Sequence, residues 1–140
     1  MTGDAQSMVS KRGSIRHVEI NVSDFERSKI FYHDFLEWLG YKQIVSGKDY
    51  AGWGNGEAGI FVTYLGRHKE LGFHRLRVGL NHIAFQAESR ADVDRFHSQF
   101  LLPRKIKTLY GGPKEYPEYR KGYYAVYFED PDRIKLEFVH

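Results

Sequence analysis

The segment HVEINVSDFERSKIFYHDFL, beginning at His17, reads again 65 residues later as HIAFQAESRADVDRFHSQFL from His82. Over these stretches His17 meets His82, Ile20 meets Phe85, Phe31 meets Phe96, Phe35 meets Phe100 and Leu36 meets Leu101 without a gap. Such a repeat restricts the chain to folds that build one supersecondary unit twice. Each copy opens with alternating apolar residues, HVEINV and HIAFQA, the period of a half-buried strand. His17, Glu19 and Asn21 therefore share one strand face. A helix follows in each copy. In the first, Ser23 and Glu26 form a capping-box pattern, Phe31, Phe35, Trp38 and Leu39 give an apolar stripe, and Gly40 marks the C-terminal stop. In the second, Ser89 is the expected cap, Val93, Phe96 and Phe100 form the stripe, and Pro103 lies beyond it.

The remainder of each half reads as strands, at 41–46, 48–53 and 59–65 in the first and at 105–110, 122–128 and 133–139 in the second, with Gly, Pro and Asp between them. The last pair in each half looks like a hairpin. Superposing GWGNGEAGIFVTY on VYFEDPDRIKLEF sets Ile60 against Ile134, Val62 against Leu136 and Thr63 against Glu137. The expected plan is an α+β chain of strand, helix and three strands, twice: modules 15–65 and 80–140, joined by 66–79, after a flexible leader at 1–14.

With 140 residues, 41% of them hydrophobic and 16% aromatic, the chain suits one globular domain with a shared core. It has no cysteine, which excludes thiol nucleophiles, thiolate zinc sites, iron–sulfur clusters and disulfides, so any metal must use nitrogen and oxygen ligands. No apolar run approaches a membrane span and the N-terminus has no signal-peptide core, so a cytoplasmic location is expected. The net charge of +3 comes without a dense basic block, and the short RKIK run at 104–107 reads as a solvated face and not a nucleic-acid stripe.

A repeat of this kind tends to set equivalent strands about a pseudo-twofold axis, so His17 and His82 are expected to face one cavity. Glu137 lies on the last strand among Leu136, Phe138 and Val139, where an ionised carboxylate needs a partner. Two imidazoles and one carboxylate make a facial triad that suits Fe(II), Mn(II) or Zn(II) and leaves positions open for substrate. The alternative is a structural ion pair of Glu137 with Lys135 or with an arginine of the facing half.

His17 followed by VEINVSD, the Phe31-Tyr32 pair, Asn81-His82 at the start of the second half, and the C-terminal YFEDPDRIKLE together resemble the vicinal oxygen chelate superfamily. That group holds glyoxalase I, fosfomycin-resistance thiol transferases, methylmalonyl-CoA epimerase, extradiol dioxygenases and metal-free bleomycin-binding proteins. The resemblance covers residues 15–140 and implies paired βαβββ modules in a cup-shaped mixed sheet around one divalent metal (Fe, Mn, Zn or Ni), held by His17, His82 and Glu137. The fourth ligand of glyoxalase I does not carry over, since Ile60, Phe61, Val62, Thr63 and Tyr64 offer no carboxylate. This departs from a true lactoylglutathione lyase.

Three ligands are similar to the extradiol pattern, in which Tyr127 stands at the tyrosine that contacts the bound catecholate, although Arg133 replaces the usual Gly or Pro and the acid/base histidine upstream is lacking. In the thiol transferases a threonine stands where this chain has Glu19, and a carboxylate there disfavours an anionic phosphonate. Glu19 and Tyr127 are the catalytic candidates. Thr63, Arg75 and Tyr124 are candidates for binding substrate, with Arg77 and a lid of Tyr110, Tyr116 and Tyr119 nearby. The function implied is metal-dependent chemistry of the dioxygenase or the lyase/isomerase type on a small oxygen-chelating substrate. The alternatives are a metal-free drug-binding or resistance protein and a protein-interaction module. A homodimer is also compatible, because the modules can pair within one chain or between two.

Overall fold

The computed structural model describes residues 11–67 and 69–140. In chain order the elements are β1 (His17–Asn21), α1 (Phe25–Trp38), β2 (Lys42–Ser46), β3 (Tyr50–Gly54), β4 (Gly59–Thr63), β5 (His82–Gln86), α2 (Arg90–Phe96), β6 (Thr108–Glu115), β7 (Tyr124–Glu129) and β8 (Lys135–Val139). A π-type turn, His97–Leu101, continues α2. Residues 1–10 of the expected leader lie outside the described residues.

The repeat is visible in the strand order. One sheet runs β1-β4-β3-β2 and the other β5-β8-β7-β6. In each, the opening strand lies parallel to the closing strand of its own module, β1 to β4 and β5 to β8, and the other pairs are antiparallel. The chain is therefore α+β, two βαβββ modules with a four-stranded mixed sheet in each.

The helix starts follow local chemistry. In α2 the Ser89 hydroxyl accepts from the Asp92 N–H at 3.0 Å, as its place in the sequence predicts. In α1 the cap is Asp24, which accepts from the Arg27 N–H at 3.1 Å, and not Ser23. Ser23 instead reaches the other module: its N–H donates to Asp132 Oδ2 at 3.1 Å and its hydroxyl donates to Oδ1. Gly40 ends α1 with φ of 98°, a left-handed conformation natural to glycine.

The modules meet through their helices. Phe35 of α1 is fully buried and packs on Phe85 of β5, Phe96 and Phe100 of the second helix, and Phe128 of β7, with centroids 5.2–6.0 Å apart. Trp38 adds contacts to Phe96 and Phe138. One hydrophobic core thus spans both halves. The seam is fixed by Tyr32, whose hydroxyl donates to Asp130 at 2.7 Å, while the same carboxylate accepts the N–H groups of Asp132 and Ile134. Burial pushes the Asp130 carboxyl up to about 6, although these three donors favour its charged form. The helices cover one face of each sheet, with Ile20, Val62, Trp53, Val126, Leu136 and Phe138 turned to the core. The alternate residues lie on the opposite faces, where the site is found. No helix among the described residues is long and apolar enough to cross a membrane.

Candidate functional site

On the outer face of the second sheet, Glu137 sits in β8 between Ala84 of β5 and Tyr127 of β7. It is only 1% exposed, because aromatic neighbours wall it in. His82 Nε2 lies 3.1 Å from Glu137 Oε1, and Tyr123 donates its hydroxyl proton to Oε2. On the other side of the imidazole, Nδ1 lies 2.6 Å from Asn81 Oδ1, an acceptor. In the tautomer that donates its Nδ1–H to Asn81, the neutral ring turns its Nε2 lone pair onto a carboxylate oxygen. A cation shared by the two atoms completes that arrangement. Imidazole nitrogen and carboxylate oxygen, each held by a partner behind it, form a donor pair that fits a divalent cation of the Fe, Mn or Zn type.

Tyrosines surround this pair. Tyr127 is 4% exposed and meets the His82 ring edge-on at 6.1 Å. Burial, followed by the Glu137 charge, holds the Tyr127 phenol well above its ordinary value. Burial and the hydrogen bond to Glu137 push Tyr123 up to about 12. Both phenols are donors at neutral pH. Tyr110 joins them because β6 bulges between Leu109 and Lys114, with Tyr110 at φ of 61° and its ring 5.5 Å from that of Tyr127. A bulky residue at positive φ marks a conformation imposed by its surroundings.

The first sheet has a different occupant at the matching place. His17 pairs with Gly59 and His82 with Lys135, so Phe61 is the counterpart of Glu137 and Gly52 that of Tyr127. The sequence superposition that set Thr63 against Glu137 is therefore displaced by two residues. Along β7 the displacement is one residue, since Gly52 and not Trp53 answers Tyr127, and the turn between β7 and β8, which at 130–134 is one residue longer than 55–58 in the first module, adds the second. Phe61 lies flat on backbone: a Cβ on Gly52 would come within 2.4 Å of its ring, and one on Gly59 within 3.0 Å. The His17 ring meets Phe61 edge-on at 5.4 Å. Glu19 is exposed on the same face, opposite Phe61.

The structure brings His82, Glu137 and Tyr127 together. Among the described residues, no group of three or more His, Asp and Glu side chains gathers to hold a metal ion, so His17 does not join the pair within one chain. Arg75 forms an ion pair with Glu129 at 2.8 Å. Tyr124 faces α2, donating to Asp94 at 2.5 Å beneath the Arg90 guanidinium. Thr63 lies beside Asn21, its hydroxyl buried without a partner. Asn81 and Tyr123 carry roles that sequence reasoning missed. Strand alternation held the signal for Tyr123, since 123, 125 and 127 share a face and 124 takes the other. A cleft of about 910 Å³ at the module seam, near Ser23, Phe73 and Asp132, contains neither member of the His82–Glu137 pair.

Two mixed βαβββ sheets with a histidine at the start of each module and a carboxylate on the last strand define the glyoxalase class of fold. The chain belongs to the Glyoxalase/Bleomycin resistance protein/Dioxygenase superfamily, whose sequence profile matches residues 14–138. It is 37% identical over 126 residues to the uncharacterised protein YqjT of Bacillus subtilis, covering 89% of this chain and 97% of that one. It is 29% identical over 125 residues to the metallothiol transferase FosB of Lysinibacillus sphaericus, covering 89% and 80% respectively. The crystal structure of a glyoxalase candidate from Bacillus halodurans superposes with a TM-score of 0.80 at 37% identity, covering 92% of this chain and 96% of the other.

Proposed function

We propose that this chain is a metal-dependent enzyme acting on a small substrate with neighbouring oxygens, in which His17, His82 and Glu137 hold one divalent cation, Fe, Mn, Zn or Ni. The observation that carries the reading is the approach of His82 Nε2 to Glu137 Oε1 at 3.1 Å while Nδ1 faces Asn81 Oδ1. The metallothiol transferase named among the relatives supports metal dependence. When bound, the cation supplies a Lewis acid with positions open to substrate oxygens.

The chain's own residues do the rest. Asn81 fixes the tautomer and plane of His82, and Tyr123 holds Glu137 by its second oxygen. Tyr127, protonated at neutral pH, donates to a substrate oxygen and stabilises the negative charge that develops there. Glu19, on the first sheet, takes the substrate proton as general base. This division of roles suits dioxygenase-type as well as lyase or isomerase chemistry. Because His17 stands on the other sheet from His82 and Glu137, a second copy of the chain supplies the third ligand in a homodimer.

Metal analysis by plasma mass spectrometry tests the reading. Protein purified without chelator should carry about one equivalent of metal, and His17→Ala, His82→Ala and Glu137→Ala should each carry little. Unfolded, mixed and refolded together, the His17→Ala and Glu137→Ala chains should recover about a quarter of an equivalent per chain, because half of the dimers then hold one intact site. Wild-type protein that stays metal-free after reconstitution would overturn the proposal in favour of a metal-free binding cup.

A further inference from the structure

The second sheet holds a polar group that the metal site does not use. Tyr116, at the end of β6, is 6% exposed, and its hydroxyl is buried with no hydrogen-bond partner. Its ring meets Tyr127 edge-on at 5.4 Å, and Glu137 is close enough to raise its pKa after burial has done so. Tyr123 and Tyr127 direct their hydroxyls to Glu137 or to each other. Tyr116 alone among these three phenols keeps a free donor. A buried donor without a partner is unfavourable, and it persists where a ligand completes it.

Positive charge is gathered on the same rings. Lys135 Nζ stands 4.9 Å from the Tyr127 centroid and 5.0 Å from that of Tyr110, donating to the Tyr110 hydroxyl at 3.2 Å. Lys114 lies over Tyr116 at 5.2 Å and Arg120 over Tyr123 at 5.7 Å. Beside these three cations stand two carboxylates, Glu137, already engaged by His82 and Tyr123, and Glu118, whose charge also reaches Tyr116. The Tyr116 ring is itself stacked by another aromatic. Tyr119 stacks on Tyr116 at 5.7 Å with planes 10° apart, yet is 63% exposed at the tip of the β6–β7 connection.

We propose that Tyr116 determines specificity at this site, and that the substrate bears a carboxylate: the Tyr116 hydroxyl donates to a carboxylate oxygen and Lys135 supplies the charge. This rests on the reading of the second sheet as the substrate-binding face. The single phenol donor with one half-buried ammonium matches a monoanion. Arg75, the sequence's candidate for such a group, is occupied by Glu129.

The probes are benzoate and its neutral isostere benzamide, titrated into the protein as purified and followed by backbone amide shifts in NMR. Benzoate should shift amides of β6, β7 and their connection and bind about tenfold or more tightly than benzamide, as a hydrogen bond to a charged group implies. Tyr116→Phe, which removes one oxygen and keeps the ring, should bring benzoate down to the benzamide level. Lys135→Gln should weaken benzoate about threefold and flatten its salt dependence, as loss of a screened charge does. Metal content is measured on the same samples. Its absence with benzoate discrimination intact sinks the metal reading alone. Equal binding of the two probes, full benzoate binding by Tyr116→Phe, or no benzoate binding at millimolar concentration overturns the carboxylate assignment.

Discussion

The two modules share a topology and differ in what the outer face of each sheet carries. In the first, Phe61 lies on the bare backbone of Gly52 and Gly59 with His17 at its edge. In the second, the same three places hold Glu137, Tyr127 and Lys135, with His82 beside them. Replacing two glycines with side chains and a phenyl with a carboxylate turns a flat apolar wall into a charged, tyrosine-lined one. The core sides of the sheets are alike, because both must bury apolar residues against the same pair of helices. One duplicated scaffold thus separates stability from chemistry by face.

The largest expected effect on this contrast is on metal affinity. Glu137→Gln should lower it about a hundredfold or more, whereas Phe61→Leu, at the matching place in the first sheet, should leave metal content unchanged in a cobalt or manganese titration. Next is the joint between modules. Phe35→Ala removes the ring that touches four phenylalanines of the second half and should cost about 3–5 kcal/mol in urea unfolding, with both modules losing structure in one transition.

Asp130, on the same seam, gives a pH signature. Its carboxyl sits at about 6 in the folded chain against an ordinary value of 3.8, so the folded state binds the proton more tightly than the unfolded. Its contribution to stability is complete in acid below 3.8 and is lost as pH rises through 6. Asp130→Asn should remove about 2 kcal/mol of that decline between pH 4 and 7, read from unfolding midpoints. An unchanged slope would mean that Asp130 does not carry it.

Gly52→Ala drives a methyl into the Phe61 ring and should cost about 1–3 kcal/mol, with the near-ultraviolet signal of the first sheet altered and metal binding intact. The smallest pair compares the helix caps. Asp24→Ala and Ser89→Ala should each cost about 1 kcal/mol in thermal unfolding, since each removes one side-chain acceptor from a helix N-terminus.

The amino-acid sequence by itself determined the duplicated strand–helix–three-strand plan, the paired opening strands with His17 and His82 at matching positions, the cap at Ser89 and the stop at Gly40. These depend on period, local hydrogen bonding and backbone freedom, which neighbouring residues carry. It also singled out His82, Glu137 and Tyr127, which the structure places side by side. The tertiary structure alone decided that Phe61 and not Thr63 answers Glu137, because a slip of two residues along β8 preserves alternation there and only strand pairing fixes the turn length. It alone joined Ser23 to Asp132 and Tyr32 to Asp130, pairs 109 and 98 residues apart whose meeting depends on how the helices dock. It alone set Arg75 on Glu129 and turned Tyr124 toward α2 while Tyr123 reached Glu137. Side chains that interact across elements are placed by packing, and packing is a property of the assembled layers that no local stretch of sequence contains.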